Sequence, residues 1–200
     1  QLTLENERLR KLLDLRTRTQ APAQAAQVLY DAADPYTRKV IIDKGMAQHI
    51  ALGSPVLDES GVIGQVTRVY PLVSEVTLVI DRDQSIPVLN VRTGARGVAF
   101  GNMSSQADGM ELRYMAANAD VAEGDVLNTS GVDGIYPPGL PVAQVTQVER
   151  RVDTIFARIA LRPIGRVAST SHILVLEPTL GHIPARPEPE IPPKKKGGHK

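Results

Sequence analysis

One stretch of this chain occurs twice, and that repeat limits the fold more than any other feature. Val56-Leu57 and Ser60-Gly61 return 70 positions later as Val126-Leu127 and Ser130-Gly131, each pair preceded by a glycine, Gly53 or Gly124. Gly64-Gln65-Val66-Thr67-Arg68-Val69 then returns 79 positions later as Ala143-Gln144-Val145-Thr146-Gln147-Val148. The nine additional residues of the second copy fall in Asp133–Pro141, a long turn carrying Tyr136-Pro137-Pro138. The repeated unit is a strand, a Ser-Gly turn and a second strand. Two copies are too few for a solenoid but suit two similar β-domains. Gly64 inside its strand predicts a bulge or sharp bend, as the corner of a small barrel requires.

The residues around the repeat extend this pattern. Short runs rich in Val and Ile predict strands over Lys39–Asp43, Pro55–Leu57, Val62–Val69, Glu75–Ile80, Pro87–Val91 and Gly97–Phe100. A second set covers Met110–Met115, Val126–Thr129, Pro141–Val148, Thr154–Leu161 and His172–Leu176. Turn residues separate them, among them Asp58–Gly61, Arg82-Asp83, Thr93-Gly94 and Asp133-Gly134. Short strands at this spacing indicate sandwiches or barrels. The expected fold is all-β, in two domains over 21–105 and 106–180 or with the first interrupted and rejoined by the chain's end.

Residues 1–20 contain no Gly or Pro and read as a helix. Leu2, Asn6, Leu9 and Leu13 alternate by four, three and four, which fits a coiled-coil seam with Leu2 and Leu9 at d and Asn6 and Leu13 at a. Asn at a favours a parallel, in-register dimer. A frame through Leu2, Leu9 and Leu12 competes, as does an ordinary amphipathic helix packed on its own domain. Residues 181–200 hold five prolines and a lysine run and read as a disordered tail.

Composition bears on function. Formal net charge is +1, and the lysine-rich tail accounts for more than that, leaving about −2 on the rest. This argues against nucleic acid as a partner. The seven aromatics, with no Trp, argue against a sugar or single-strand platform. The absence of cysteine excludes disulfides and thiol chemistry. No apolar stretch approaches the 18 residues a membrane span needs, so a membrane is reached only through an anchor upstream of Gln1.

The histidines are 49, 172, 182 and 199, with no i, i+4 pair and no H-E-x-x-H. Ser130-Gly131 is the nearest nucleophile turn, but no G-x-S-x-G elbow occurs. No catalytic residue, metal site or cofactor is expected. The enzyme alternative is an unconventional or degenerate serine-protease-like hydrolase, whose turnover would be lost with His49→Ala. A third reading is a membrane-surface adaptor acting through the lysine tail.

Read in order, several landmarks resemble the extracytoplasmic part of the bacterial rod-shape-determining MreC family. They are Glu5-Asn6-Glu7-Arg8-Leu9, Asp34-Pro35, Arg38, Ile42-Asp43-Lys44-Gly45, Gly53-x-Pro55-Val56 and Gly61-Val62-Ile63-Gly64-Gln65-Val66. Ser74-x-Val76-x-Leu78, Gly124–Gly131 and Gly134-Ile135-Tyr136-Pro137-Pro138-Gly139-Leu140-Pro141-Val142 follow. Ala143 departs from the Gly usual there, as does the Pro/Lys tail. The resemblance implies a membrane-anchored periplasmic scaffold of cell-wall elongation, with a coiled coil and two small six-stranded β-barrels like those of chymotrypsin-like proteases but without a triad. The implied partners are a class B penicillin-binding transpeptidase, the membrane protein MreD and further copies of itself. The expected self-association residues are Leu2, Asn6, Leu9 and Leu13. The expected partner-binding residues are Ile135, Tyr136, Pro137 and Pro138, on the inserted loop, with barrel edges also open to partners.

Overall fold

A computed structural model describes residues 2–18, 21–34, 36–102, 109–116, 118–150, 156–167 and 170–178. The predicted tail, the start of the Thr154–Leu161 strand and the side chain of Leu2 lie outside the described residues. One helix, α1 (Leu2–Arg18), precedes β1 (Ala23–Asp31), β2 (Lys39–Ile42), β3 (Pro55–Leu57), β4 (Val62–Val69), β5 (Ser74–Leu78) and β6 (Ser85–Asn90). Then come β7 (Arg96–Asn102), β8 (Gly109–Arg113), β9 (Val126–Thr129), β10 (Pro141–Glu149), β11 (Arg158–Pro163) and β12 (His172–Leu176).

The strands close into two six-stranded antiparallel barrels. Barrel 1 runs β1-β12-β3-β4-β5-β2 around its circumference, and barrel 2 runs β10-β11-β8-β7-β6-β9. The first barrel is thus split in sequence: β12 returns at the end of the chain and inserts between β1 and β3. The boundary does not fall at 105/106. Val88 pairs with Thr129 and Ser85 with Phe100, so β6 and β7 belong to barrel 2, and the division is the short linker between Leu78 and Ser85. That linker is held by Asp81, whose carboxylate accepts the backbone N–H groups of Arg38 (2.7 Å) and Asp83 (2.9 Å). Closure also removes the expected open barrel edges, because every strand has a neighbour on each side.

The burial patterns explain which strands were legible. β8 and β11 alternate buried with accessible residues, the period expected of a barrel wall with one wet face. β5 is buried throughout, because its outward residues are covered as well. Lys39 Nζ lies 3.0 Å from Glu75 Oε1, and the hydroxyls of Thr67 and Thr77 meet at 2.8 Å. Sequence reading passed over β1, whose Ala-Gln-Ala-Ala-Gln start has little β propensity. Tertiary pairing with β12 and β2 supplies what propensity lacks.

The interiors of the two barrels merge into one apolar cluster. Their seam requires close backbone approach at Gly61, where a Cβ would stand 2.4 Å from the Pro141 carbonyl oxygen. Within barrel 2 the Ile164 N–H donates to the Val142 carbonyl (3.0 Å), continuing the β10–β11 ladder one residue past Pro163. Gly64 answers the expectation of a bend: β5 approaches it so closely that a Cβ would lie 2.4 Å from the Thr77 carbonyl oxygen. The adjacent β3–β4 ladder slips register between Val56 and Leu57.

Candidate interaction surfaces

Helix α1 has two working stripes. Leu, Arg, Lys and Glu are good helix formers, and Glu5 in the first turn suits the positive end of the helix dipole. One stripe, Glu5, Arg8, Leu12 and Leu15, faces barrel 1. Leu12 is only 6% exposed and Leu15 packs on the common core. Glu5 Oε1 stands 2.8 Å from His172 Nδ1, and Arg8 and Arg166 each approach Glu59 Oε1 at 3.8 Å. The other stripe carries Asn6, Leu9 and Leu13 outward, with Leu13 59% exposed. The competing frame through Leu12 is therefore taken up by the helix's own barrel, while the Asn6, Leu9 and Leu13 stripe stays accessible.

The inserted loop turns inward at its centre. Tyr136 is 1% exposed, and its hydroxyl accepts a hydrogen bond from Gln84 Nε2 (3.0 Å), which also donates to Gln65 Oε1 (3.1 Å). Burial pushes the Tyr136 hydroxyl well above the ordinary tyrosine range. Asp133 Oδ1 accepts the backbone N–H groups of Ile135 and Tyr136, and the Thr129 hydroxyl bonds the loop's far side through Pro137 O and Leu140 N. Ile135 and Pro137 are half-buried, and Pro138 is the expected partner-binding residue left exposed. Tyr136 joins the barrels, and any contact by this loop is made mainly by Pro138 and its neighbour Gly139.

Barrel 2 presents a surface that sequence reasoning missed. Phe100 on β7, Tyr114 just after β8, and Phe156 form an edge-to-face ladder, with centroids 6.1 Å and 6.5 Å apart. The Arg113 guanidinium covers Phe100 at 4.5 Å from its ring centroid and also pairs with Glu111. Tyr114 is 66% exposed and Phe156 53% exposed. Tyr114 also has φ = 63°, a left-handed conformation that a bulky side chain adopts only at a cost. Three of the chain's seven aromatics thus gather on one wall, Tyr114 and Phe156 exposed and Phe100 half-buried beneath Arg113. The sequence signal was slight, since residues 100, 114 and 156 meet only through the β7–β8 and Ala116–Phe156 pairings.

The residues weighed for hydrolysis do not converge. Ser130 Oγ donates to the Pro87 carbonyl (3.1 Å), His49 follows the 3-10 turn Met46–Gln48 on barrel 1, and His172 meets α1. Among the described residues no cluster of His, Asp and Glu could hold a metal, and no helix is long and apolar enough to cross a membrane.

Two closed six-stranded barrels sharing one core, with a helix docked on the first, define a double-barrel protein. The chain belongs to the MreC family: the model of the rod shape-determining protein MreC, barrel core, matches residues 28–177. The cell shape-determining protein MreC of Escherichia coli K12 is 37% identical over 172 residues, which is 86% of this chain and 46% of that protein. The chain thus spans about half the length of this relative. The crystal structure of MreC from Pseudomonas aeruginosa superposes with a TM-score of 0.74 at 35% identity, covering 78% of this chain and 99% of that one. A complex between penicillin-binding protein PBP2 and MreC from Helicobacter pylori shares the fold at a TM-score of 0.61 and 14% identity, covering 78% of this chain and 98% of the matched one.

Proposed function

We propose that this chain is the periplasmic portion of a membrane-anchored scaffold for cell-wall elongation, and that it binds proteins and catalyses no reaction. Copies pair through the α1 stripe of Leu2, Asn6, Leu9 and Leu13. The elongation transpeptidase, a class B penicillin-binding protein, docks on the Phe100–Tyr114–Phe156 surface of barrel 2. The observation that carries this reading is an aromatic ladder with two exposed rings, capped by an arginine, that includes a residue in a costly backbone conformation. Aromatic and arginine side chains supply most binding hot spots, and strain of this kind collects at functional sites. The solved PBP2 complex of a distant relative supports the choice of partner. Pro138 on the inserted loop is a secondary contact, and Ile135, Tyr136 and Pro137 support it. MreD is a further proposed partner, implied by family likeness.

The test is binding to the purified periplasmic part of the elongation transpeptidase. Tyr114→Ala and Phe156→Ala should each weaken it about tenfold or more, with the thermal melt little changed. Wild-type affinity in the Tyr114→Ala, Phe156→Ala double variant would refute this surface.

A further inference from the structure

We infer that Glu5 is shared between two alternative partners, His172 of its own barrel and Arg10 of a second copy, so that the Glu5–His172 contact competes with pairing of two chains. This rests on the reading that α1 pairs two copies through the stripe of Leu2, Asn6, Leu9 and Leu13. With Asn6 and Leu13 at a and Leu2 and Leu9 at d, Glu5 and Leu12 take g positions and Thr3 and Arg10 take e positions.

Two observations meet at Glu5. The g flank of the helix is the side that barrel 1 occupies, because Leu12 is buried there and Glu5 reaches His172 at 2.8 Å. In a parallel two-stranded coil the g flank of one helix also faces the e flank of its partner, and a g residue meets the e residue five positions on. That residue is Arg10 of the second copy, opposite in charge to Glu5. Arg10 is exposed on this chain, away from the barrel. A pairing in register therefore brings a guanidinium beside barrel 1, next to a carboxylate that lies 2.8 Å from an imidazole nitrogen. Asn6 at a supports that register, since an Asn pair in the seam favours parallel, aligned strands.

The Glu5 side chain lies toward the barrel while it pairs with His172 and must turn along the seam to reach Arg10 of the second copy. The charges around this exchange are few. Glu59, Arg166 and His172 face the helix from barrel 1 and its connection, and Arg8 faces them from α1. Arg8 and Arg166 both approach the Glu59 carboxylate. His172 is thus the intramolecular competitor for Glu5.

The test is sedimentation equilibrium of the 200-residue chain at low salt, with circular dichroism to verify folding of each variant. Arg10→Glu should weaken pairing about fivefold by turning each g–e pair repulsive, whereas His172→Gln should tighten it about threefold by releasing Glu5. Leu9→Lys should abolish pairing. Pairing unchanged by Leu9→Lys, or absent from the wild-type chain, would defeat the underlying reading of α1. Pairing lost with Leu9→Lys but unaffected by Arg10→Glu, or left unchanged or weakened by His172→Gln, would overturn the sharing of Glu5 alone.

Discussion

The two barrels start from one local device and then diverge where they meet. In barrel 1 the Gly53 N–H donates to the Val66 carbonyl and the Val66 N–H to the Ser54 carbonyl, each at 2.9 Å, while Gln65 Nε2 donates to Gly53 O at 3.2 Å. Barrel 2 repeats this with Gly124 and Val145, Val145 and Asp125, and Gln144 and Gly124, at the same distances. Beyond it the copies differ. Barrel 1 makes a tight turn in which the Asp58 carboxylate accepts the N–H groups of Ser60 and Gly61, and of Arg166 from across the chain. Barrel 2 spends nine more residues at that point and sends Tyr136 to Gln84, which in turn bonds Gln65. A duplicated fold keeps its hydrogen-bonding frame and varies where the copies join. The outer walls diverge too, barrel 1 receiving α1 and barrel 2 exposing the aromatic ladder.

The junction gives the largest expected effect. Tyr136→Ala removes a fully buried ring and leaves Gln84 short of a partner, and should cost about 4 kcal/mol in denaturant unfolding. It should also split one cooperative transition into two, and a single unshifted transition would mean that the barrels do not depend on this residue.

The next effect belongs to barrel 2 alone. Where barrel 1 has buried Ser54, barrel 2 has Asp125, bonded by Arg92 Nε (2.7 Å), Arg92 Nη2 (2.9 Å) and Asn90 Nδ2 (2.7 Å). Arg92, which also grips Asp120, holds both carboxyls below their usual range. Arg92→Met should lower stability at neutral pH, because it leaves the Asp125 carboxylate with only Asn90 and the Ala122 N–H as donors. A depressed folded-state value means that the stabilisation is full above the ordinary carboxylate range and fades as pH falls through the folded value. The gap between wild type and variant should therefore narrow below about pH 4, a dependence that denaturation at several pH values would reveal. A gap independent of pH would mean that the arginine acts by packing alone.

The smallest effect compares the repeated glutamines. Gln65 also accepts from Gln84 at the junction, whereas Gln144 is an acceptor for exposed Arg162. Gln65→Ala should cost about 1 kcal/mol and Gln144→Ala under about 0.5 kcal/mol. Equal costs would show that the junction adds nothing to the shared frame.

Much of the fold was legible because both copies carry it in short-range signals. The bounds of β3, β4, β9 and β12 were readable from Val/Ile runs between turn residues. β1 was not, since Ala23–Gln27 pair with β12 from the far end of the chain and their own preferences are weak. Nor was the linker at Leu78–Ser85, where assignment of β6 depends on pairing with β9. The α1 seam was visible as spacing, but which stripe faces the barrel was decided by Leu12 and by the Glu5–His172 contact. The aromatic ladder was invisible as a site, for a low aromatic count says nothing about where three aromatics converge.

The proposed division of labour gives barrel 1 the pairing helix and barrel 2 the transpeptidase. Hydrogen–deuterium exchange of this chain, with and without the purified periplasmic transpeptidase, tests it most directly. The account predicts slowed exchange in β7, β8 and the backbone around Tyr114 and Phe156, with barrel 1 unchanged. Protection confined to barrel 1 or α1 would contradict it.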